Sequence, residues 1–432
     1  MPERIVSHSK YGRGVVKQSR YKDFELLVQF KDGLSRWIRF DELEQSAQTP
    51  QIVSLATGLS TPPINEAFRS RRMIEAFRLG IVPYDCVEDF TFGRQEESKE
   101  LMNWLNSPEE NVLLLVGEYG TGKKHLQHHI YWRALQEGFA VAYVAMDPNE
   151  VPFHKPKRVY SQLIQTFRYY SKKNKKRFPD FLKEVITNGA FKEHEYYKYF
   201  IKETLDENLW DWIEAKESIV KPYLINNSDY PKLPGLYDYS STANVYCYLL
   251  SALGWAAKMV LGLKGLLLIF DEAEVIDMLT TSQYSKRGLN FFRALSLTAQ
   301  NDKVLLEKPQ IGCIKRNLDY SLSGIGRKIP FLYKLPCGLK LLFAFTPIDT
   351  LNKLDELRLA MRIDLQSLTD TALKRVFENI CLLYENAYAI PTGNLTVDTA
   401  FQRVTERDRC TRLFVKGSVE ALDLIRLNQK IG

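Results

Sequence analysis

The 432-residue chain has few cysteines and lacks any long apolar run. Its six cysteines are scattered and form no CxxC pair, which argues against a disulfide framework or a zinc site and favours buried thiols. No stretch approaches the roughly eighteen apolar residues of a membrane helix, and the first residues lack the apolar segment of a secretory signal. We therefore expect a cytosolic protein without a membrane partner.

A composition typical of disordered chains is also absent. Apolar residues make up 45% and charged residues 26% of the chain, which is ordinary for a globular protein whose length allows two or three domains. The formal net charge of +7 is mild for this length. It permits a nucleic-acid partner without requiring one.

A glycine-rich loop, GEYGTGKK at residues 117–124, follows an apolar run at residues 111–116. A buried strand that ends in such a loop is typical of a nucleotide site, because backbone N–H groups can surround a β-phosphate while a lysine reaches the β and γ oxygens. The sequence therefore predicts ATP as a ligand. The candidate ATP-binding residues are Gly117, Gly120, Thr121, Gly122, Lys123, Lys124 and Asp271.

The loop departs from the usual pattern at Lys124, where a Ser or Thr hydroxyl would normally hold Mg²⁺. An ammonium group has three donors and no lone pair, so it cannot ligate a metal, and its charge repels one. Mg²⁺ is therefore placed in doubt as a cofactor. ATP binding is better supported by the sequence than ATP hydrolysis.

A second phosphate-site motif is the acidic pair Asp271-Glu272, which follows the apolar run at residues 266–270. At the carboxyl end of a strand, Asp271 would hold Mg²⁺ through water and Glu272 would polarise the attacking water. The alternative is an acidic helix start, which the helix dipole favours. Its position after a phosphate loop favours the nucleotide site.

Two further residues are candidates for sensing the γ-phosphate. Thr346 follows an apolar run at residues 339–345, although a threonine at a strand end is common without any role. Arg412 is the leading arginine, ahead of Arg358 and Arg362, because a guanidinium fork suits phosphate oxygens. Most arginines are simply solvated. The predicted catalytic residues are Glu272, Thr346 and Arg412.

The order of apolar and helical segments predicts an α/β protein. Strands that alternate with helices over residues 65–350 indicate a three-layer P-loop core with a parallel sheet. The stretches 165–243 and 300–338 exceed normal connections and are predicted insertions. Residues 351–432 are predicted to form a helical lid. Short strands with glycine turns over residues 1–47 predict a small all-β barrel, joined by a linker at 48–64.

The N-terminal segment resembles the Tudor-like barrel at the C-terminus of UvrD/PcrA-type helicases. The resemblance rests on His8, residues 11–16, residues 28–33 and Leu43. It implies a module that docks a protein or nucleic acid and carries out no chemistry. The alternative is a barrel that only packs on its own ATPase, because a fold alone does not decide function.

Segments between about residues 70 and 430 resemble BrxD, the ATP-binding protein family of bacteriophage-exclusion (BREX) systems. They are residues 72–83, 91–94, 117–123, 147–156, 271–274 and 411–426. The resemblance implies an AAA+-like ATPase of the initiator/STAND branch that acts in antiphage defence with DNA and a helicase-like partner. A homo-oligomer is a further option. The loop of the family ends in Gly-Lys-Ser/Thr, so Lys124 is a departure.

A basic segment covers residues 155–183, with ten basic residues and one acidic residue. Aromatic residues are interleaved with them, so the segment could neutralise phosphates and stack on bases. The alternative is a solvated helix end whose aromatics lie in the core. The candidate DNA-binding residues are Lys172, Lys173, Lys175, Lys176 and Arg177.

Other features leave alternatives open. His125, His128 and His129 have the spacing of one helix face and could chelate a metal, although packing behind the loop is the usual reason. The aromatic stretch from Tyr196 to Tyr230 suits either an interface or a small core. Three functions other than a nucleotide-controlled ATPase remain. They are a scaffold in which Lys124 neutralises phosphate charge, an enzyme whose Mg²⁺ is held by water and Asp271 alone, and a pure interaction protein.

Overall fold

The structure is a computed structural model of the chain. It describes residues 5–8, 12–20, 25–31, 33–39, 43–44, 64–81, 87, 90–172, 174–201, 207–216, 233–278, 282–307, 314–315, 318–319, 329–348, 360–389 and 410–431. The chain divides into two compact units, Met1–Ser60 and Thr61–Gly432, and each is described by itself.

The first unit is a five-stranded antiparallel sheet with the order β4-β3-β2-β1-β5. Val28 and Phe30 are buried while Gln29 between them is exposed, the alternation expected of a strand with one covered face. Closure of this sheet into a Tudor-like barrel stays a prediction. The strands are β1 (Ile5–His8), β2 (Gly12–Arg20), β3 (Glu25–Phe30), β4 (Ser35–Arg39) and β5 (Leu43–Glu44).

The second unit alternates helices and strands. The helices are α1 (Ile64–Arg78), α2 (Gln95–Asn106), α3 (Lys123–Gln136), α4 (Pro156–Thr166), α5 (Phe178–Thr187), α6 (Glu207–Ile213), α7 (Ala243–Met259), α8 (Ser282–Ala299), α9 (Asp370–Tyr388) and α10 (Thr411–Ile431). The strands are β6 (Val112–Gly117), β7 (Ala140–Ala145), β8 (Arg168–Ser171), β9 (Asn174–Arg177), β10 (Leu266–Asp271), β11 (Ile314–Lys315), β12 (Leu318–Asp319), β13 (Leu339–Phe345) and β14 (Met361–Leu365). Short 3-10 turns lie at Tyr197–Ile201, Ala273–Met278 and Lys303–Leu306.

Seven of these strands form one sheet with the order β14-β6-β13-β10-β7-β8-β9. The pairs from β14 to β7 are parallel, and the β8–β9 hairpin adds antiparallel strands at the edge. The predicted α/β core with a mostly parallel sheet is confirmed. Because the carboxyl ends of parallel strands meet at one edge, the loops after β6, β10 and β13 lie close together.

Helices cover both faces of this sheet. Strand residues alternate between the faces, since Leu113 and Leu115 pack with α2 and α3 whereas Leu114 and Val116 pack with the opposite layer. That opposite layer contains α4, α7 and α8. Both faces of β6 and β10 are therefore buried, which is why these strands read as continuous apolar runs.

Strand β14 was not expected, because the segment after residue 350 reads as helical. Its residues alternate between buried Ile363 and Leu365 and exposed Arg362 and Asp364. This period-two pattern suits a strand at the edge of a sheet. Five residues are too few for the pattern to be distinguished from a helix turn by sequence alone.

A separate group of helices contains α1, α9 and α10. Their apolar residues form one cluster around Phe77, Phe377 and Phe414. Arg78 of α1 donates two hydrogen bonds of 2.9 Å to Asp423 of α10, and Tyr384 of α9 donates one of 2.8 Å to the same carboxylate. Helix α1, which the sequence analysis grouped with the core, thus packs against the two helices that follow the core.

The predicted insertion at residues 165–243 contributes to the main core. Tyr196, Tyr197 and Trp212 are at most 3% exposed and belong to the same apolar cluster as the sheet. The aromatic stretch is therefore core rather than an exposed interface in the described residues. Tyr223 and Tyr230 lie outside the residues that the structure describes.

Candidate functional site

The glycine-rich loop lies where the sequence predicts it, between buried β6 and α3. Gly120 and Gly122 have φ angles of +79° and +103°, which only glycine adopts readily, and Gly122 begins the helix. Lys123 donates to the carbonyl oxygens of Gly117 at 2.5 Å and Glu118 at 3.1 Å. Burial lowers the pKa of Lys123. The negative charges of Glu274 and Asp271 act in the opposite direction and reduce this shift.

Arg94 is hydrogen-bonded to the backbone of the glycine-rich loop. Its guanidinium donates to the carbonyl oxygens of Thr121 at 2.6 Å and Gln366 at 2.7 Å, and it forms an ion pair with Glu97. The side chain is almost completely buried. Arg94 therefore joins the loop to the segment after β14.

The first turn of α10 lies against the same loop. Arg412 donates a 2.6 Å hydrogen bond to the hydroxyl of Tyr119, and its guanidinium carbon lies 5.9 Å from the centre of the Tyr119 ring. A Cβ built on Gly120 would come within 2.0 Å of the sulfur of Cys410. Arg412 thus contacts the glycine-rich loop through Tyr119, a contact that the sequence analysis missed.

The acidic pair ends β10, on the same sheet edge as the loop. Asp271 is 3% exposed and its carboxylate accepts three hydrogen bonds. The donors are Gln127 at 2.7 Å, Tyr143 at 2.7 Å and the backbone of Glu272 at 3.1 Å. Gln127 lies four residues after Lys123 on one face of α3, and Tyr143 projects from the neighbouring strand β7. Only Gln127 could have been suspected from spacing.

Lys124 pairs with Asp271 across the site. The ammonium nitrogen lies 3.6 Å from Oδ2 of Asp271, and the lysine side chain is 56% exposed whereas that of the aspartate is 5% exposed. The position of the missing hydroxyl is thus occupied by a cation that neutralises the acidic residue. An exposed ammonium also keeps the freedom to move toward a phosphate.

Glu272 and Thr346 directly follow the carboxyl ends of β10 and β13. Glu272 has a φ of +55°, an uncommon value for a residue with a side chain. Burial raises the pKa of its carboxyl, and the negative charge of Asp271 adds to that effect. The backbone nitrogen of Thr346 donates to Glu274 at 3.3 Å, so the predicted sensor position contacts the 3-10 turn that follows β10.

The donor set does not fit an ordinary Mg²⁺ site. A carboxylate offers about four lone-pair positions, and the three hydrogen bonds of Asp271 use most of them. The ammonium of Lys124, 3.6 Å from Oδ2, repels a metal ion from the remaining position by its charge. Mg²⁺ needs oxygen ligands in a near-octahedral arrangement, and Lys124 supplies none. In the described part of the chain, no group of three or more His, Cys, Asp or Glu residues could hold a metal ion.

The three histidines of α3 are packing residues. Ring nitrogens of His125 and His129 lie 2.9 and 3.3 Å from the hydroxyl of Thr91. The ring of His128 packs at a tilt against that of Tyr143, with 5.6 Å between the ring centres. Burial lowers the pKa of His125 to about 4 and that of His128 to about 3. Their contacts with Thr91 and Tyr143 support packing as the role of these histidines.

The basic segment is divided between surface and core. Lys172 and Lys175 are exposed on the β8–β9 hairpin, and Lys176 pairs with Glu184. Arg177 precedes α5, and Lys173 lies outside the described residues. Tyr160, Phe167 and Tyr169 are at most 1% exposed, so they cannot stack on bases. A DNA contact at the lysines stays a prediction.

A comparison with protein families finds a match that includes the glycine-rich loop. Residues 66–198 match the family model for the BREX system ATP-binding protein BrxC/D. This range contains the glycine-rich loop, α3 and β7, and the similarity to BREX ATP-binding proteins is supported there. It ends before the acidic pair on β10.

Two archaeal UPF0273 proteins are similar to shorter parts of the chain. One, from Pyrococcus furiosus, is 31% identical over 114 residues, which are 26% of this chain and 42% of the relative. The other, from Methanopyrus kandleri, is 29% identical over 99 residues, which are 23% of this chain and 36% of the relative. The chain thus spans less than half the length of these relatives.

Among the described helices, none has the length and apolar character needed to cross a bilayer.

Proposed function

We propose that this protein is an AAA+-like ATP-binding protein of a BREX-type antiphage defence system. The observation that carries the proposal is the junction of two motifs at one sheet edge, where the Lys124–Asp271 ion pair joins the glycine-rich loop to the acidic pair. The family match over residues 66–198 supports the same conclusion. Nucleotide binding would control assembly on DNA, with a helicase-like partner, or both.

Each residue of the site has a role in this proposal. The backbone around Gly120 and Gly122 would surround the phosphates, and Lys123 would leave the carbonyl oxygens of the loop to reach the β and γ oxygens. Arg412 would sense the γ-phosphate through Tyr119, to whose hydroxyl it donates a hydrogen bond. Since Arg412 begins α10, a change at the loop would reach the helices α1 and α9 packed on it.

Hydrolysis is the weak part of this function, because Lys124 occupies the place of the metal-binding hydroxyl. If hydrolysis persists, Glu272 would polarise the attacking water, and the raised pKa of its carboxyl suits a general base. A nucleotide-binding scaffold without turnover is the second candidate. The ion pair between Lys124 and Asp271 specifically favours it, since the aspartate is engaged by a side chain.

ATP binding tests the main proposal. We expect calorimetry with the full chain to give measurable ATP affinity, and Lys123→Ala to weaken it by at least about tenfold. Lys99→Ala, which removes an exposed lysine of α2, is the matched control and should leave affinity unchanged. If the parent binds no ATP, the proposal fails and an interaction protein remains.

Turnover separates the enzyme from the scaffold. Phosphate release by the parent and by Lys124→Thr would be measured with ATP and Mg²⁺. We expect the parent to be slow and the threonine variant faster, because its hydroxyl restores a metal ligand. Strong hydrolysis by the parent would exclude the scaffold.

A further inference from the structure

We infer that the phosphates of ATP are neutralised at this site by the ammonium groups of Lys123 and Lys124, so that ATP binds without Mg²⁺. The inference rests on the proposed nucleotide binding and specifies its ionic form. The ligand class is a metal-free nucleoside triphosphate. The departure that weakens hydrolysis thereby becomes the feature that selects the ligand.

The position of Lys124 carries the first step. It lies in the first turn of α3, adjacent to Lys123, at the helix end where backbone N–H groups favour anions. Its ammonium is held 3.6 Å from Asp271 in a side chain that is more than half exposed. A triphosphate on the loop brings a higher negative charge than one carboxylate, so the ammonium can move to it or bridge both groups.

The environment of Asp271 carries the second step. Gln127 and Tyr143 hold one oxygen each at 2.7 Å, and both side chains come from rigid elements, α3 and β7. When Lys124 moves to a phosphate, these two donors still stabilise the carboxylate charge. Asp271 then serves as a resting partner for the lysine rather than as a ligand for a cation.

The charge balance is the third step. In an ordinary site of this kind one lysine and Mg²⁺ supply three positive charges to the triphosphate. Here two lysines supply two, and Mg²⁺ carried by the nucleotide would meet the ammonium of Lys124 where its protein ligand should be. Free ATP is therefore expected to bind at least as tightly as the Mg²⁺ complex.

The experiment is calorimetry of ATP binding to the full chain, in EDTA and in excess MgCl₂. For the parent, the dissociation constant in EDTA should be equal to or lower than that in MgCl₂. Lys124→Thr should bind at least about tenfold more weakly in EDTA and recover in MgCl₂, because a metal then replaces the lost charge. Lys124→Met should bind weakly in both buffers, and Lys99→Met should match the parent in both.

The outcomes are distinguishable. No ATP binding by the parent in either buffer overturns the proposed function itself. Parent binding that requires MgCl₂ leaves the proposed function standing and overturns the metal-free inference. Equal affinity of parent and Lys124→Thr in EDTA also overturns it, since the lysine would then contribute nothing. Melting curves of each variant confirm that a lost affinity is not a lost fold.

Discussion

At the scale of single residues, the site depends on what each position cannot hold. Gly120 cannot carry a Cβ because the sulfur of Cys410 occupies that space, and Gly122 faces open space but has a left-handed φ. Lys124 cannot be a metal ligand, and three hydrogen bonds use most of the acceptor positions of Asp271. Space and backbone conformation thus restrict the residues at 120 and 122, and charge determines what position 124 can bind.

The contact between Gly120 and Cys410 can be tested by a double-mutant cycle. Gly120→Ala should destabilise the protein, and its cost should fall by about 1–3 kcal/mol in a Cys410→Ala background, because the clashing sulfur is removed. Unfolding free energies of the four proteins measure this coupling. Gly122→Ala, where nothing lies within 4 Å of the new Cβ, should show no such coupling. Additive costs at Gly120 would contradict the contact.

His128 makes the stability depend on pH. Burial lowers its pKa to about 3, so the folded protein keeps it neutral while the unfolded chain takes up a proton below a pKa near 6.5. Its contribution is present above pH 6.5 and is lost as the pH falls. Between pH 7 and pH 5 the parent should lose about 2 kcal/mol more unfolding free energy than His128→Gln. Equal losses in urea titrations would count against this account.

At the scale of elements, buried polar side chains join the helices to the sheet. Lys340 of β13 is 6% exposed and donates to the carbonyl oxygens of Trp104, Ser107 and Glu110, at distances from 2.5 to 3.0 Å. It therefore joins β13 to the last turn of α2 and to the segment that follows this helix. In the helical group, Arg78 of α1 joins α10 through its two hydrogen bonds to Asp423.

Removing the lysine tests the first of these joints. Lys340→Met should cost about 2–4 kcal/mol of unfolding free energy, because one buried and two partly buried hydrogen bonds lose their charged donor. Lys264→Met is the matched control. That lysine is 45% exposed and pairs with Glu137, so its loss should cost less than about 1 kcal/mol. Similar costs for the two variants would show that burial does not decide the effect.

At the scale of the whole molecule, the parallel sheet brings the two motifs together and the helical group of α1, α9 and α10 contacts one of them. Tyr119 and Arg412 are far apart in sequence yet share a 2.6 Å hydrogen bond. The basic hairpin lies at the opposite edge of the sheet from β14. The predicted nucleotide site follows β6 and β10 inside the sheet, so the predicted DNA contact on the hairpin involves other strands of the same core.

The hairpin gives a prediction for DNA binding. Replacing Lys172 and Lys175 with Gln should weaken DNA binding and flatten its salt dependence, by about one unit of slope for each phosphate that is no longer neutralised. Lys99 and Lys303, also exposed, are replaced together as a control with the same change in net charge. Binding would be followed by fluorescence anisotropy over a range of salt concentrations. An equal loss in the control pair would assign the effect to net charge alone.

The sequence by itself determined the local features. The glycine spacing located the loop, the apolar runs located β6, β10 and β13, and the identity of Lys124 predicted that a metal ligand is missing. These follow from the sequence because each depends on neighbouring residues and on the chemistry of one side chain. The alternation of strands and helices likewise predicted the α/β core.

Only the tertiary structure decided which distant side chains meet. The pairing of Lys124 with Asp271, the support of that carboxylate by Tyr143, and the burial of Tyr160 and Tyr169 depend on strand register and on helix packing. Strand β14 and the grouping of α1 with α9 and α10 have the same origin. No local pattern encodes such contacts, because they arise from the free energy of burying whole faces against one another.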